Sequence, residues 1–186
     1  MDESINQAFT TIKRKDFIPD DIKHHSGEDR PLPIGYAQTI SQPSTVKMML
    51  QWLNPTENDK VLDVGSGSGW TSALLAHIVG PNGHVYAVER IPELVEMGKK
   101  NCQKYNFKNV SFHQADTSYG LPQKAPFDKI LVSASAKKLP EELLQQLKEG
   151  GKLIIPVKND ILEITKQDNN TYETITHPGF VFVPLI

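Results

Sequence analysis

The sequence predicts a doubly wound, Rossmann-like α/β fold with a mostly parallel sheet and antiparallel carboxyl-terminal strands. Three observations predict it. From residue 60 onward, apolar strands alternate with helices in a repeated βαβ order. The strand KVLDV runs into Gly65, Gly67 and Gly69 and then directly into a helix. Near the carboxyl end, ILEITKQ and TYETITH alternate around DNN, the pattern of a hairpin.

The elements follow in order. Ser4 and Gln7 fit a capping box, and Ile5, Ala8, Phe9 and Ile12 recur at helical spacing, so a short amphipathic helix should open the chain. Residues 18–43 carry Pro19, Pro31, Pro33 and Pro43 around the polar run HHSGEDR, which predicts a long ordered loop of the kind that usually serves function. Val46, Met49, Leu50 and Leu53 mark one face of a helix starting near Pro43 or Ser44. WTSALLAHIV then reads as a helix stopped by Gly80 and Pro81, HVYAVE as a strand, and PELVEMGKKNCQKY as a helix started by Pro92. VSFHQA, DKILVSA and KLIIPV are further strands, with EELLQQL as a helix between the last two, so helices should cover both faces of the sheet. GFVFVPLI is expected to add an edge strand.

The 186 residues suffice for one domain with a sizeable core. Within it, 1–59 should supply helices and a covering loop, 60–157 the ligand-binding βα core, and 158–186 a hairpin and edge strand. With 38% hydrophobic and 23% charged residues and a net charge of −2, the chain has neither the composition of a disordered segment nor a broad basic footprint for nucleic acid. The one cysteine, Cys102, excludes an intramolecular disulfide and a cysteine metal cluster. MDESINQAFTTIKRK lacks the order of a signal peptide, and no apolar run reaches the roughly 18 residues of a membrane span. These features predict a cytoplasmic protein without nucleic-acid or membrane partners, and a monomer by default. His24 and His25 are neighbours in a polar loop and do not share a face, so no metal is assigned. Lys99, Lys100, Lys137 and Lys138 read as solvated charges.

The glycine turn carries the chemistry. Glycines at the carboxyl edge of a parallel sheet let the backbone turn tightly and approach a nucleotide-like ligand. A dinucleotide fingerprint would place glycine or alanine where Trp70 stands, whereas here the third glycine is Gly69. Trp70 could flank the ligand or pack in the core. Glu89 closes the next strand, where a carboxylate can accept both ribose hydroxyl protons. Asp116 follows the third strand at the same edge, positioned for an adenine amino group.

Taken with PLPIGYAQTISQP, HVYAVERIPEL, APFDKILVSA, LKEGGKLIIPV and FVPL, the motif VLDVGSGSGW makes the chain resemble the protein-L-isoaspartate O-methyltransferases. The resemblance covers most of the chain from about residue 8, and the segment 31–43 is its most specific part. It implies the class I S-adenosylmethionine-dependent methyltransferase fold, S-adenosyl-L-methionine as methyl donor with S-adenosyl-L-homocysteine as product, and an isoaspartyl-containing protein or peptide as partner. Ser41 is implied as the catalytic residue, beside Thr39 and Ile40 in substrate binding. Gln38, Thr39 and Ile40 would also cover the donor, and Asp63, Gly65, Ser66, Gly67 and Gly69 would cradle it. Glu89 and Arg90, with Asp116 and Thr117, would complete the donor site. The chain departs from the family pattern at Ala37 and Ala115-Asp116-Thr117, where glycines are usual, in HHSGEDRPLP, at Val181 and at Ile186.

The implied reaction methylates the isoaspartyl carboxylate, and the ester then collapses to a succinimide whose hydrolysis returns some normal aspartate. A carboxylate is already ionised near neutral pH, so Ser41 should orient the acceptor rather than deprotonate it. Two other readings keep the donor site: a methyltransferase with another carboxylate, peptide or small-molecule acceptor, and a non-catalytic module that binds isoaspartyl peptides. A nicotinamide-dependent oxidoreductase is disfavoured by Trp70.

Overall fold

Central strands of a parallel sheet must be apolar on both faces, and the strand Lys60–Val64 (β3) is buried at every position after Lys60. The structure, a computed structural model that describes residues 2–185, builds a seven-stranded sheet around it. With β4 (His84–Glu89), β5 (Val110–Gln114), β6 (Phe127–Val132), β7 (Leu147–Val157), β8 (Asp160–Lys166) and β9 (Tyr172–Pro178), the order is β5-β4-β3-β6-β7-β8-β9. β5 through β7 pair in parallel, and β8 and β9 add antiparallel neighbours. The chain leaves β3 toward β5 and returns to β6 on the other side, so a crevice opens at the carboxyl ends of β3 and β6, where such sheets bind ligands.

The pleat divides the core. Val61, Val85, Leu131 and Ile154 face α1 (Asp2–Thr11), α2 (Pro43–Leu53), α3 (Trp70–Val79) and α4 (Pro92–Gln103). Leu62, Val64, Ile130 and Ile155 face a thinner cover that includes Leu121 and Leu143 of α5 (Glu141–Gln145). Helices cover both faces as expected, but unequally, because the 115–126 connection contains only one short 3-10 turn. The sandwiched helix α3 is buried at every residue but His77.

Three expectations need correction. α1 begins at Asp2, so Ser4 lies inside the helix rather than at its cap. The 18–43 segment is not one loop. It holds a 3-10 turn at Asp20–His25 and a hairpin of β1 (Leu32–Gly35) and β2 (Gln38–Ile40), whose tip Tyr36-Ala37 has positive φ at both residues, 55° and 56°. Ala37 thus adopts the backbone conformation that the family's usual glycine accommodates more readily. Pro33 is tolerated because the hairpin stands outside the main sheet.

GFVFVPLI is not an edge strand; β9 is the edge, and the chain then turns back across the sheet. Gly179 and Phe180 N–H both donate to the Asn159 carbonyl, and Ser135 brackets Pro184 through bonds to Val183 and Leu185. Phe180 also meets the edge of Trp52, itself stacked on His177 at 3.8 Å. The returning tail reaches the carboxyl end of β6. Ile186 lies outside the described residues.

Helix α4 crosses close to the turn before α3. A Cβ at Gly98 would sit 2.5 Å from the Phe112 ring. We expect Gly98→Ala to cost about 1–3 kcal/mol by overpacking, read as a lower midpoint in thermal unfolding, and Phe112→Leu in the same chain to recover part of it.

Candidate functional site

At the end of β4, Glu89 organises the ligand edge. Its Oε2 accepts the Gly67 N–H at 2.9 Å, while Oε1 accepts the N–H groups of Arg90 at 2.7 Å and Ile91 at 3.0 Å. Two carboxylate oxygens offer about four acceptor positions, so this geometry leaves capacity for a ligand hydroxyl on Oε2. Gly65 and Ser66 N–H groups donate to the Val88 carbonyl at 2.9 and 3.2 Å, so the glycine turn is laced to β4 by backbone and side chain alike.

The glycines have different tasks. Gly65, Gly67 and Gly69 all have positive φ. Gly67 lies at the cavity beneath the hairpin, where a Cβ would approach Ile34 Cδ1 at 3.2 Å. Gly69 does not line the cavity: its Cβ would meet the Gly98 backbone at 3.0 Å, so its role is the close packing of α3 on α4.

Asp63 is fully buried below the turn and likewise does not line the cavity. Its Oδ2 accepts hydroxyl protons from Thr71 at 2.8 Å and Ser72 at 2.6 Å, while Oδ1 has no partner. Burial pushes its carboxyl up to about 6, against which the two hydroxyl donors act.

Over the crevice lies a cavity of about 410 Å³, a size suited to a nucleotide-like ligand. It brings together Gln38, Thr39, Ile40 and Ser41 from the hairpin side, Gly65, Ser66 and Gly67 from the turn, and Glu89, Arg90, Asp116 and Thr117 from the strand ends. Of the sequence-predicted residues, only Asp63 and Gly69 stand back from it. Asp116 is exposed, and its Oδ1 accepts both the backbone N–H and hydroxyl of Ser118, which holds its carboxyl below the usual range. Ser66 and Trp70 line the cavity, and their Oγ and Nε1 atoms are buried without a hydrogen-bond partner in the protein. Trp70 both borders the cavity and packs, its ring edge-on to Phe9 at 5.5 Å.

A second cavity of about 270 Å³ adjoins the first and shares Thr39, Ser41, Ser133 and Val183 with it. Sequence reasoning missed Ser133 and the Val183–Leu185 wall. The position of Ser133 just beyond DKILV was a usable signal, since residues after each parallel strand gather at the ligand edge. The tail carried no comparable signal, because its return across the sheet depends on contacts with Asn159 and Ser135, distant in sequence.

A parallel sheet with this glycine turn, a strand-end carboxylate at the switch point and antiparallel strands beyond β7 defines the class I S-adenosylmethionine-dependent methyltransferases. Within that class, the chain belongs to the protein-L-isoaspartate(D-aspartate) O-methyltransferase family, whose model matches residues 1–186. The protein-L-isoaspartate O-methyltransferase of Methanothrix thermoacetophila is 45% identical over 187 residues, spanning 99% of this chain and 88% of the relative. A solved protein-L-isoaspartate O-methyltransferase superposes with a TM-score of 0.87 at 28% identity, covering 98% of this chain and 61% of that one. A Plasmodium falciparum structure of the same type, solved in complex with S-adenosyl-L-homocysteine, also gives 0.87, at 26% identity, covering 99% of this chain and 90% of that one. The larger cavity described above fits such a ligand in size and in the acceptor capacity left on Glu89.

The state of Asp63 gives a pH signature. Below the ordinary value of 3.8 the carboxyl is protonated in folded and unfolded chains alike; between 3.8 and about 6 only the folded chain keeps the proton. Stability should therefore fall as pH rises through this window and level off above it. Asp63→Asn is expected to flatten that part of the profile in denaturant unfolding measured from pH 4 to 7.

Proposed function

We propose that the chain transfers the methyl group of S-adenosyl-L-methionine to the free carboxylate of L-isoaspartyl residues in damaged proteins or peptides. The observation that carries this reading is the junction of the two cavities at Ser41, with Thr39 and Ser133 beside it. The larger cavity would hold the donor, with Glu89 toward the ribose, the 115–120 segment toward the adenine, and the Gly65–Gly67 turn beneath it. The smaller would admit the acceptor between the Gln42–Thr45 segment and the Val181–Val183 tail.

Bound donor supplies an electrophilic methyl on a cationic sulfur. The protein's part is alignment and exclusion of water. The described lining of the smaller cavity holds no strong base: Thr39, Ser41, Gln42, Thr45 and Ser133 offer hydroxyl and amide groups. This suits an acceptor that arrives ionised, because a carboxylate needs orientation rather than deprotonation. The Ser41 hydroxyl would donate a hydrogen bond to the acceptor carboxylate and turn one oxygen toward the methyl. Ile34 and Ile40 are buried beside the cavity and help keep it dry.

A location in the cytoplasm and a monomeric state belong to the same reading. Cys102 is a buried free thiol, and none of the described helices is long and apolar enough to cross a membrane.

The test is transfer of radiolabelled methyl from S-adenosyl-L-methionine to an isoaspartyl peptide and to its normal aspartyl twin. Labelling is expected only for the isoaspartyl form, and Ser41→Ala should lower kcat by about 10²-fold with S-adenosyl-L-homocysteine affinity nearly unchanged. Equal labelling of both peptides, or none with the donor bound, would redirect the acceptor assignment.

A further inference from the structure

Arg14 lies outside both cavities and belongs to none of the site motifs, yet its surroundings are unusual for a cation. The residue is 7% exposed; its Nη1 and Nη2 donate to backbone carbonyls, and its Nε is buried without a hydrogen-bond partner. Nη1 donates to Ser26 O at 3.3 Å and Glu28 O at 3.0 Å. Nη2 donates to Arg30 O at 2.7 Å and Ser41 O at 3.0 Å, with Ile40 O at 3.5 Å. One planar fork thus ties the 26–30 segment to the end of β2.

Further contacts fix the fork from outside. Asp29, within the clasped segment, accepts the Ser44 N–H at 2.9 Å and the Gln42 side-chain amide at 3.1 Å, so Ser41 is bracketed on both sides. The 3-10 turn that carries Arg14 (Arg14–Phe17) is anchored on the α4 side: Tyr105 donates its hydroxyl proton to Asp16 at 2.6 Å, and Phe17 stacks on Tyr105. The guanidinium also lies 5.6 Å over the ring of Trp70, which borders the donor cavity.

We propose that Arg14 is the positioning residue for methyl transfer, setting Ser41 against the donor cavity by clasping the carbonyl groups of Ser41 and of the 26–30 segment in one fork. A lysine cannot replace it. The ammonium donates from a single nitrogen and cannot span carbonyls set around a planar fork. A catalytic role is excluded because Arg14 lines neither cavity; its effect must pass through the backbone at Ile40 and Ser41.

The inference rests on the proposed methyl transfer, and its test separates the two. Arg14→Lys and Arg14→Ala are compared with wild type by thermal unfolding, S-adenosyl-L-homocysteine titration, backbone hydrogen exchange over residues 38–44, and steady-state labelling of the isoaspartyl peptide. Expected are cooperative unfolding, donor affinity within a few-fold of wild type, exchange over 38–44 raised at least about tenfold, and kcat lowered by about 10²-fold with the donor KM little changed. Added guanidinium ion should restore part of the activity of Arg14→Ala and none of Arg14→Lys. Unchanged exchange and kcat in folded variants would overturn the assignment. So would loss of the fold in both, since that is the mark of a merely structural arginine. If wild type labels no isoaspartyl peptide, the acceptor reading fails, while the exchange measurement still judges the clasp.

Discussion

The arrangement of the ligand edge depends on one carboxylate bound to three backbone amides. Glu89 ends β4, holds Gly67 across the crevice, and gathers the N–H groups of Arg90 and Ile91 where the chain bends toward α4. Hydrogen bonds to an ionised acceptor are stronger than those between neutral groups, and the residue is 8% exposed, so water competes poorly for them. The glycine turn can therefore be open toward the ligand and still be fixed from behind. Moving Gly67 would strand a buried carboxylate oxygen, which is the costlier outcome.

Two layers assemble over this edge, each by a different means. The floor of the larger cavity is local: β3, the turn and α3 are continuous in sequence, and Gly69 brings α3 against Gly98 of α4. The cover of that cavity and the walls of the smaller one are built from segments remote in sequence. The hairpin is drawn down by Arg14 and Asp29, and the tail is brought back by Asn159, Ser135 and the Trp52 stack. Ser41 sits where the two layers meet. Such an arrangement suits a reaction limited by alignment, because the hairpin and tail that wall the smaller cavity also line the larger one and so hold the two in register.

This division also decides what the sequence alone revealed. Within the βα core, α3 and β4 were readable to the residue as WTSALLAHIV and HVYAVE, since periodicity and glycine punctuation are local properties, whereas β7 begins at Leu147, five residues before the expected KLIIPV. The glycine turn and the strand-end acids were readable for the same reason. The hairpin at Leu32–Ile40 was not, because Pro31 and Pro33 argue against strands, and the Arg14 fork that ties its two flanks together comes from far upstream. Nor was the withdrawal of Asp63 and Gly69 from the cavity, which follows from the pleat direction of β3 and the close approach of α4. Ser41 was singled out by family resemblance; its place at the junction of two cavities is a property of the folded chain.

The most direct measurement is calorimetric titration of S-adenosyl-L-homocysteine into wild type and Glu89→Gln. The carboxamide has one acceptor oxygen, so it cannot serve Gly67 on one side and Arg90 with Ile91 on the other. Wild type should bind one equivalent, and the folded variant should bind about 10- to 100-fold more weakly, the loss expected for hydrogen bonds to a charged group. Equal affinity in a folded Glu89→Gln protein would contradict the claim that this carboxylate sets the donor site.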